Sequence, residues 1–135
     1  MIDVAWNDEY CIGIEEIDRQ HIDFIKLLNR FNIVFCSGSH IYLQDRILLE
    51  ISKYFEYHSV SEENLMIISG YPDMEAHKHA HDIFNKALEG KRYAIKNGSI
   101  NGSDIIKHLY NHWFLHHTQK EDRLFAEYIS KKGNQ

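Results

Sequence analysis

The sequence predicts an all-α protein, an up-down-up-down four-helix bundle preceded by an extended N-terminal arm. Three observations predict it. One proline and seven glycines in 135 residues leave long stretches without a chain break, which favours helices over a many-stranded sheet. Apolar residues recur near every 3.6 positions in four separate segments. The joints between those segments are short, and amphipathic helices so joined pack most simply as antiparallel neighbours. A chain of this length can bury one real core, so a single domain over 1–135 is expected.

Residues 1–16 keep no sustained period and read as the arm. The first helix is predicted over 17–36, with Ile17, His21, Phe24, Leu28, Phe31 and Phe35 on one stripe, and Ser37-Gly38-Ser39 ends it. The second is predicted over 41–69, with Ile47, Ile51, Phe55, His58, Glu62 and Leu65 inward. Gly70-Tyr71-Pro72 then breaks the chain: glycine suits a helix C-cap and proline the first turn of the next helix. The third helix is predicted over 72–96, with Met74, His77, His81, Phe84, Leu88 and Ile95 on its stripe. The turn-rich run 97–103 follows, and Ser103 or Asp104 is the candidate cap of a fourth helix over 104–131. That helix carries Ile106, Tyr110, Trp113, His117, Leu124 and Tyr128 inward, widened by Phe114, Phe125 and Ile129.

Composition narrows the function. A net charge of −5, with Lys and Arg scattered, argues against nucleic acid or an anionic membrane as the main partner. No apolar run approaches the about eighteen residues that span a bilayer. The N-terminus lacks a basic and apolar leader, so the cytoplasm is the expected compartment. Cys11 and Cys36 are not in a Cys-x-x-Cys pair, and both read as free thiols acting as small hydrophobes in or near the core.

Histidine is the outlier, with ten in the chain, concentrated at 58–81 and 108–117. His21, His58, Glu62, His77, His81 and His117 all fall on inward stripes, and every predicted helix supplies at least one. A buried ionisable group without a partner is costly, so six of them in a small core call for a shared ligand. His58 and Glu62 are four apart, as are His77 and His81, which places each pair on one helix face. Imidazole and carboxylate without thiolate suit iron, zinc, manganese or copper. The donors are too many for one tetrahedral zinc and suit two ions sharing bridging carboxylates. A last carboxylate is open between Glu121, four residues past His117, and Asp122, five past and about 140° round an ideal helix. Helix geometry alone prefers Glu121.

These residues resemble the hemerythrin family along nearly the whole chain. Ile17-Asp18-Arg19-Gln20-His21 resembles its Ile-Asp-x-Gln-His segment, and His58 to Glu63 its His-Phe-x-x-Glu-Glu segment. His77 and His81 match its His-x-x-x-His, and Trp113 through Asp122 resembles its closing Trp-Leu-x-x-His-Ile-x-x-x-Asp. The resemblance implies Asp122 rather than Glu121 as the last ligand. It implies two iron ions (Fe2+/Fe3+) with an oxo or hydroxo bridge. His77, His81 and His117 would hold one and His21 and His58 the other, with Glu62 and Asp122 bridging. The implied function is reversible dioxygen binding for storage, delivery or sensing, in a protein that is not an enzyme. Two electrons would come from the ferrous pair and a proton from the bridge.

Phe24, Leu115, Ser59 and Thr118 are the candidate walls of the oxygen pocket, and ordinary core packing fits Phe24 and Leu115 equally well. Asp18 and Gln20 are candidate outer partners of the ligand histidines, with helix capping competing for Asp18. Ser59 and Thr118 replace the family's usual Phe and Ile, and polar groups there predict faster autoxidation than in a dedicated carrier. His108, His112 and His116 form an i, i+4, i+8 column that reads as a polar rim ahead of a second metal site. His79 is expected in solvent and His40 near a helix start. Two other functions stay open: a di-iron enzyme acting on nitric oxide, peroxide or ferrous iron, and an iron- or oxygen-responsive regulator. A protein partner for delivery or re-reduction stays open as well.

Overall fold

The computed structural model describes residues 5–36, 41–98 and 102–133. It is a four-helix bundle, with no strand among the described residues. Helix α1 runs Glu15–Cys36, α2 Ile41–Ser69 and α3 Met74–Lys96. The fourth rod is continuous but changes pitch twice: α4 Gly102–His108, a π-helix Leu109–Glu121, and α5 Asp122–Gly133. None of the helices among the described residues is long and apolar enough to cross a membrane.

The first turn of α1 is acidic, with Glu15, Glu16 and Asp18, as the positive end of a helix dipole favours. Gly70 ends α2 with φ +68, and the N–H groups of Gly70 and Tyr71 donate to Ile67 and Met66. That pair of bonds is a Schellman cap, which explains glycine at this position. Pro72 departs from the expectation. It lies in the turn before α3, which starts at Met74 with Asp73 as its cap residue. Gly102 is buried, and a Cβ there would strike the ring of Phe35, so α1 and α4 approach too closely for any side chain.

Ile17, Leu28, Phe31, Leu48, Ile51, Leu88, Ile105 and Phe114 are fully buried and form the main core. Asp45 joins α2 to α3 from below the core, with its carboxylate 3.0 Å from Arg92 Nε and 3.4 Å from Lys96 Nζ. Burial alone would raise its pKa, but the two cations outweigh that and hold it below the usual carboxylate value.

The arm is anchored across the bundle. Trp6 and Tyr10 pack edge-on against Phe114, Tyr10 and Tyr110 share a 2.7 Å hydroxyl hydrogen bond, and Gln119 donates to the Tyr10 carbonyl. Cys11 corrects the sequence reading: it is exposed on this arm rather than in the core. Leu124 is a second correction, at 58% exposed. The fourth rod buries Ile105, Leu109, Trp113, Phe114, His117, Thr118, Asp122, Phe125 and Ala126. Within it Leu109 and Phe114, Trp113 and Thr118, and His117 and Asp122 are buried pairs five residues apart. An i→i+5 bonded stretch makes a wider turn than an α-helix, so the inward face slips along the sequence: Leu124 leaves it, while Phe125 stays buried as expected. The fourth rod begins at Gly102, so Ser103 and Asp104, the cap candidates, both lie inside its first turn rather than before it. His40 lies outside the described residues, as do the side chains of Cys36 and Ile106.

Candidate metal centre

Seven side chains converge midway along the bundle. His21 comes from α1, His58 and Glu62 from α2, His77 and His81 from α3, His117 from the π-helix and Asp122 from the first position of α5. All are at most 9% exposed, and Glu62 and Asp122 are fully buried. Their donor atoms fall into two groups, Glu62 with His77, His81 and His117, and Glu62 and Asp122 with His21 and His58. Within each group every donor lies within 4.8 Å of the others, and Glu62 belongs to both.

The carboxylates straddle the two groups, one oxygen to each. Glu62 Oε1 contacts His77 Nε2 and lies 3.3 Å from His81 Nε2, while Oε2 lies 3.5 Å from His58 Nε2. Asp122 Oδ1 lies 2.9 Å from His77 Nε2 and 3.6 Å from His117 Nε2, while Oδ2 lies 3.3 Å from His21 Nε2.

Spacing on an ideal helix left Asp122 on the wrong side, and the π-helix removes the difficulty. The Asp122 N–H donates to the His117 carbonyl, an i→i−5 bond, so residues five apart lie one above the other. Glu121 instead stands outside the cluster, its Oε2 3.1 Å from His117 Nδ1.

Three imidazoles are turned by acceptors behind them. The Nδ1–H of His58 donates to Gln20 Oε1 at 2.7 Å, and that of His81 to Glu63 Oε2 at 2.8 Å, while Glu121 faces His117 Nδ1. Each acceptor fixes the tautomer that leaves Nε2 lone pairs facing the centre, the arrangement metal-ligating histidines require. Gln20 is itself held by donating from Nε2 to Ser61 Oγ. Glu63 was not singled out from sequence, where the tandem acid Glu62-Glu63 was the available signal; Glu121 was weighed as a metal ligand and stands instead behind His117. Asp18 has a different task from the one expected: its carboxylate accepts from the N–H groups of Ile12 and Gly13 and secures the arm. We predict that Gln20→Leu weakens metal binding on the His21/His58 side by about 10- to 100-fold, read by competition with a calibrated chelator. Unchanged affinity would show that Gln20 does not orient His58.

The protonation pattern asks for a cation. Burial pushes His58 down to about 3, helped by the neighbouring His21 and His81 rings and opposed by Glu62 and Asp122. For His77 burial again lowers the pKa, but the adjacent Asp122 and Glu62 carboxylates overcome it and raise the ring to about 10. Glu62 is held well below the carboxylate range by His58, His77 and His81 in spite of its burial. A proton on His77 thus partly balances the two buried carboxylates, and Glu62 raises His81 as well. The balance is incomplete: Nε2 of His21, His58, His81 and His117, Glu62 Oε2 and both Asp122 oxygens have no hydrogen-bond partner. Buried polar atoms are nearly always satisfied, and lone pairs directed at two common points fit metal cations. His108, His112 and His116 enter no group of this kind among the described residues, and His79 is exposed.

A helical bundle with a histidine and carboxylate cluster in its interior, divided into two overlapping donor sets, defines a class of metal-binding four-helix proteins. The chain matches the Hemerythrin HHE cation binding domain over residues 12–129. It is 30% identical over 132 residues to a bacteriohemerythrin of Stenotrophomonas maltophilia, covering 98% of this chain and 85% of that one. It is 28% identical over 131 residues to a bacteriohemerythrin of Clostridium acetobutylicum, covering 93% and 98%. A crystal structure of a single-site hemerythrin mutant superposes with a TM-score of 0.84 at 23% identity, covering 96% of this chain and 99% of the other, a likeness of fold. This chain belongs to the hemerythrin family. Membership implies a non-haem di-iron site, which the cluster fits.

Proposed function

We propose that the protein holds two iron ions and binds dioxygen reversibly at one of them. His77, His81 and His117 would hold the first ion, His21 and His58 the second, and Glu62 and Asp122 would be shared between them. The carrying observation is the division of the donors into two buried sets that share Glu62. The second set has one imidazole fewer, which leaves room for an incoming ligand on that ion. When bound, two ferrous ions supply the two electrons with which dioxygen is held and returned. Family membership fits a binding protein rather than an enzyme.

The surroundings support that choice of ion. A cavity of about 10 Å³ lies on the two-histidine side, lined by His21, His58, Phe24, Phe55, Trp113 and Thr118 among others. It is near the smallest space that holds one water-sized molecule. The Thr118 hydroxyl donates to the Phe114 carbonyl, so the polarity expected of this wall is turned into the backbone. Leu115 and Ser59 do not line the cavity; Leu115 packs against the core, and Ser59 is buried with its hydroxyl unpartnered.

Anaerobic reduction of the iron-loaded protein followed by air is expected to give a new visible absorption band that is lost on degassing and returns on repeated cycles. A fully loaded protein that shows no such band overturns the reading. Of the two polar replacements only Ser59 leaves a free hydroxyl, so it is the one expected to hasten autoxidation. Stopped-flow decay of the oxygenated form is expected to be slower in Ser59→Phe, and an equal rate removes this role of Ser59.

A further inference from the structure

We propose that His108 and His112, at the mouth of the cleft between α3 and the π-helix, form an outer metal site that takes up ferrous iron and passes it to the buried centre. The inference rests on reading the inner cluster as the metal centre, and not on how that centre meets dioxygen.

The pair repeats a spacing that the centre itself uses. His77 and His81 are four residues apart with ring centroids 4.7 Å apart, and His108 and His112 are four apart with centroids 4.3 Å apart. Two imidazoles one turn apart on a helix are a recurring grip for a divalent transition ion. The outer rings are stacked, with 27° between their planes, so a tilt of the side chains brings both lone pairs onto one ion. Burial, and then Lys91, lower the His108 pKa, so this ring keeps a free lone pair near pH 7, as a metal ligand must. Two neutral imidazoles with no carboxylate, and a lysine nearby, hold a cation weakly. That suits a site whose ion must leave again.

The cleft joins this pair to the centre. His108, His112, His116, Glu121, His117 and His81 all line it, and the last two are inner ligands. Its volume of about 440 Å³ admits a hydrated divalent ion, whose shell of about six waters occupies about 180 Å³. Charge changes sign along the way. Lys91 acts on His108 at the mouth, whereas the Glu121 carboxylate stands 3.1 Å from His117 Nδ1, with Glu62 and Asp122 buried beyond it. A cation is therefore drawn from the mouth toward the centre. The neighbouring groove beside Tyr71 and Leu124 touches His77 alone of the inner ligands, and His79 is its one other imidazole.

The aerobically prepared, iron-loaded full chain is titrated with Ni2+, which imidazole holds more tightly than ferrous iron. One saturable site beyond the two iron ions is expected, with the iron content unchanged. His108→Ala and His112→Ala are each expected to weaken it by about tenfold or more, since each removes one of two protein ligands. Metal-free protein is then mixed anaerobically with ferrous ammonium sulfate, and bound iron is counted after quenching with a chelator at successive times. The double variant is expected to load several-fold more slowly, yet to reach the same final iron content. His112→Ala alone, on the exposed rim, replaces it if the double variant loses helicity. Absence of the Ni2+ site, an affinity unchanged in both single variants, or loading at the rate of the unaltered chain overturns the proposal. The visible band in air is read on the same samples, so failure of oxygen binding is told apart from failure of the outer site.

Discussion

Glu62→Ala is expected to leave the protein with one metal ion per chain or none, measured by metal analysis after anaerobic iron loading and desalting. Glu62 is the one residue that belongs to both donor groups, and each of its oxygens faces a different set of imidazoles. Losing an outer partner of a ligand costs about 10- to 100-fold in affinity, so losing a shared inner ligand is expected to cost more than about 100-fold at both positions. Alanine also leaves His58, His77 and His81 without the carboxylate that now balances them. Helical circular dichroism should persist, because α2 gains a better helix former at an interior position. Two tightly held ions in this variant would remove Glu62 from its assigned place.

Stripping both ions is expected to lower the melting temperature by about 15 °C or more. Each ion present at about a thousand times its dissociation constant contributes about 4 kcal/mol, and each kcal/mol is worth about 2–4 °C or more in a chain of this size. The metal-free core must then bury imidazole and carboxylate atoms that lack hydrogen bonds. Differential scanning calorimetry before and after chelation checks this, with re-addition of ferrous iron restoring the original transition. A shift under about 5 °C would mean that the cluster tolerates its own polarity without a cation.

The helices, their order and the inward position of the histidines were legible because each rests on short-range periodicity. His58 with Glu62 and His77 with His81 are one α-turn apart, and α2 and α3 are ordinary α-helices there. Asp122 was not legible from spacing, since its alignment with His117 depends on a pitch that no single residue announces. The same change of pitch left Leu124 exposed, against its expected inward position. Outer contacts divided by distance along the chain. Gln20 reaches His58 on another helix, as the need of a ligating histidine for an outer partner suggested, whereas Asp18 closes a local turn with Ile12 and Gly13. Cys11 followed its arm to the surface, where composition gives no guidance.

The wide turn between His117 and Asp122 has a practical bearing on anyone copying this donor set into an artificial scaffold. A straight, idealised α-helix would carry the aspartate away from the donor cluster, and the transplanted set would lose one of its two inner carboxylates. Such a scaffold would need a longer acid one position earlier, where this chain keeps Glu121 for holding an imidazole from behind. Pattern searches that admit only three- and four-residue intervals would pass over sites of this construction for the same reason.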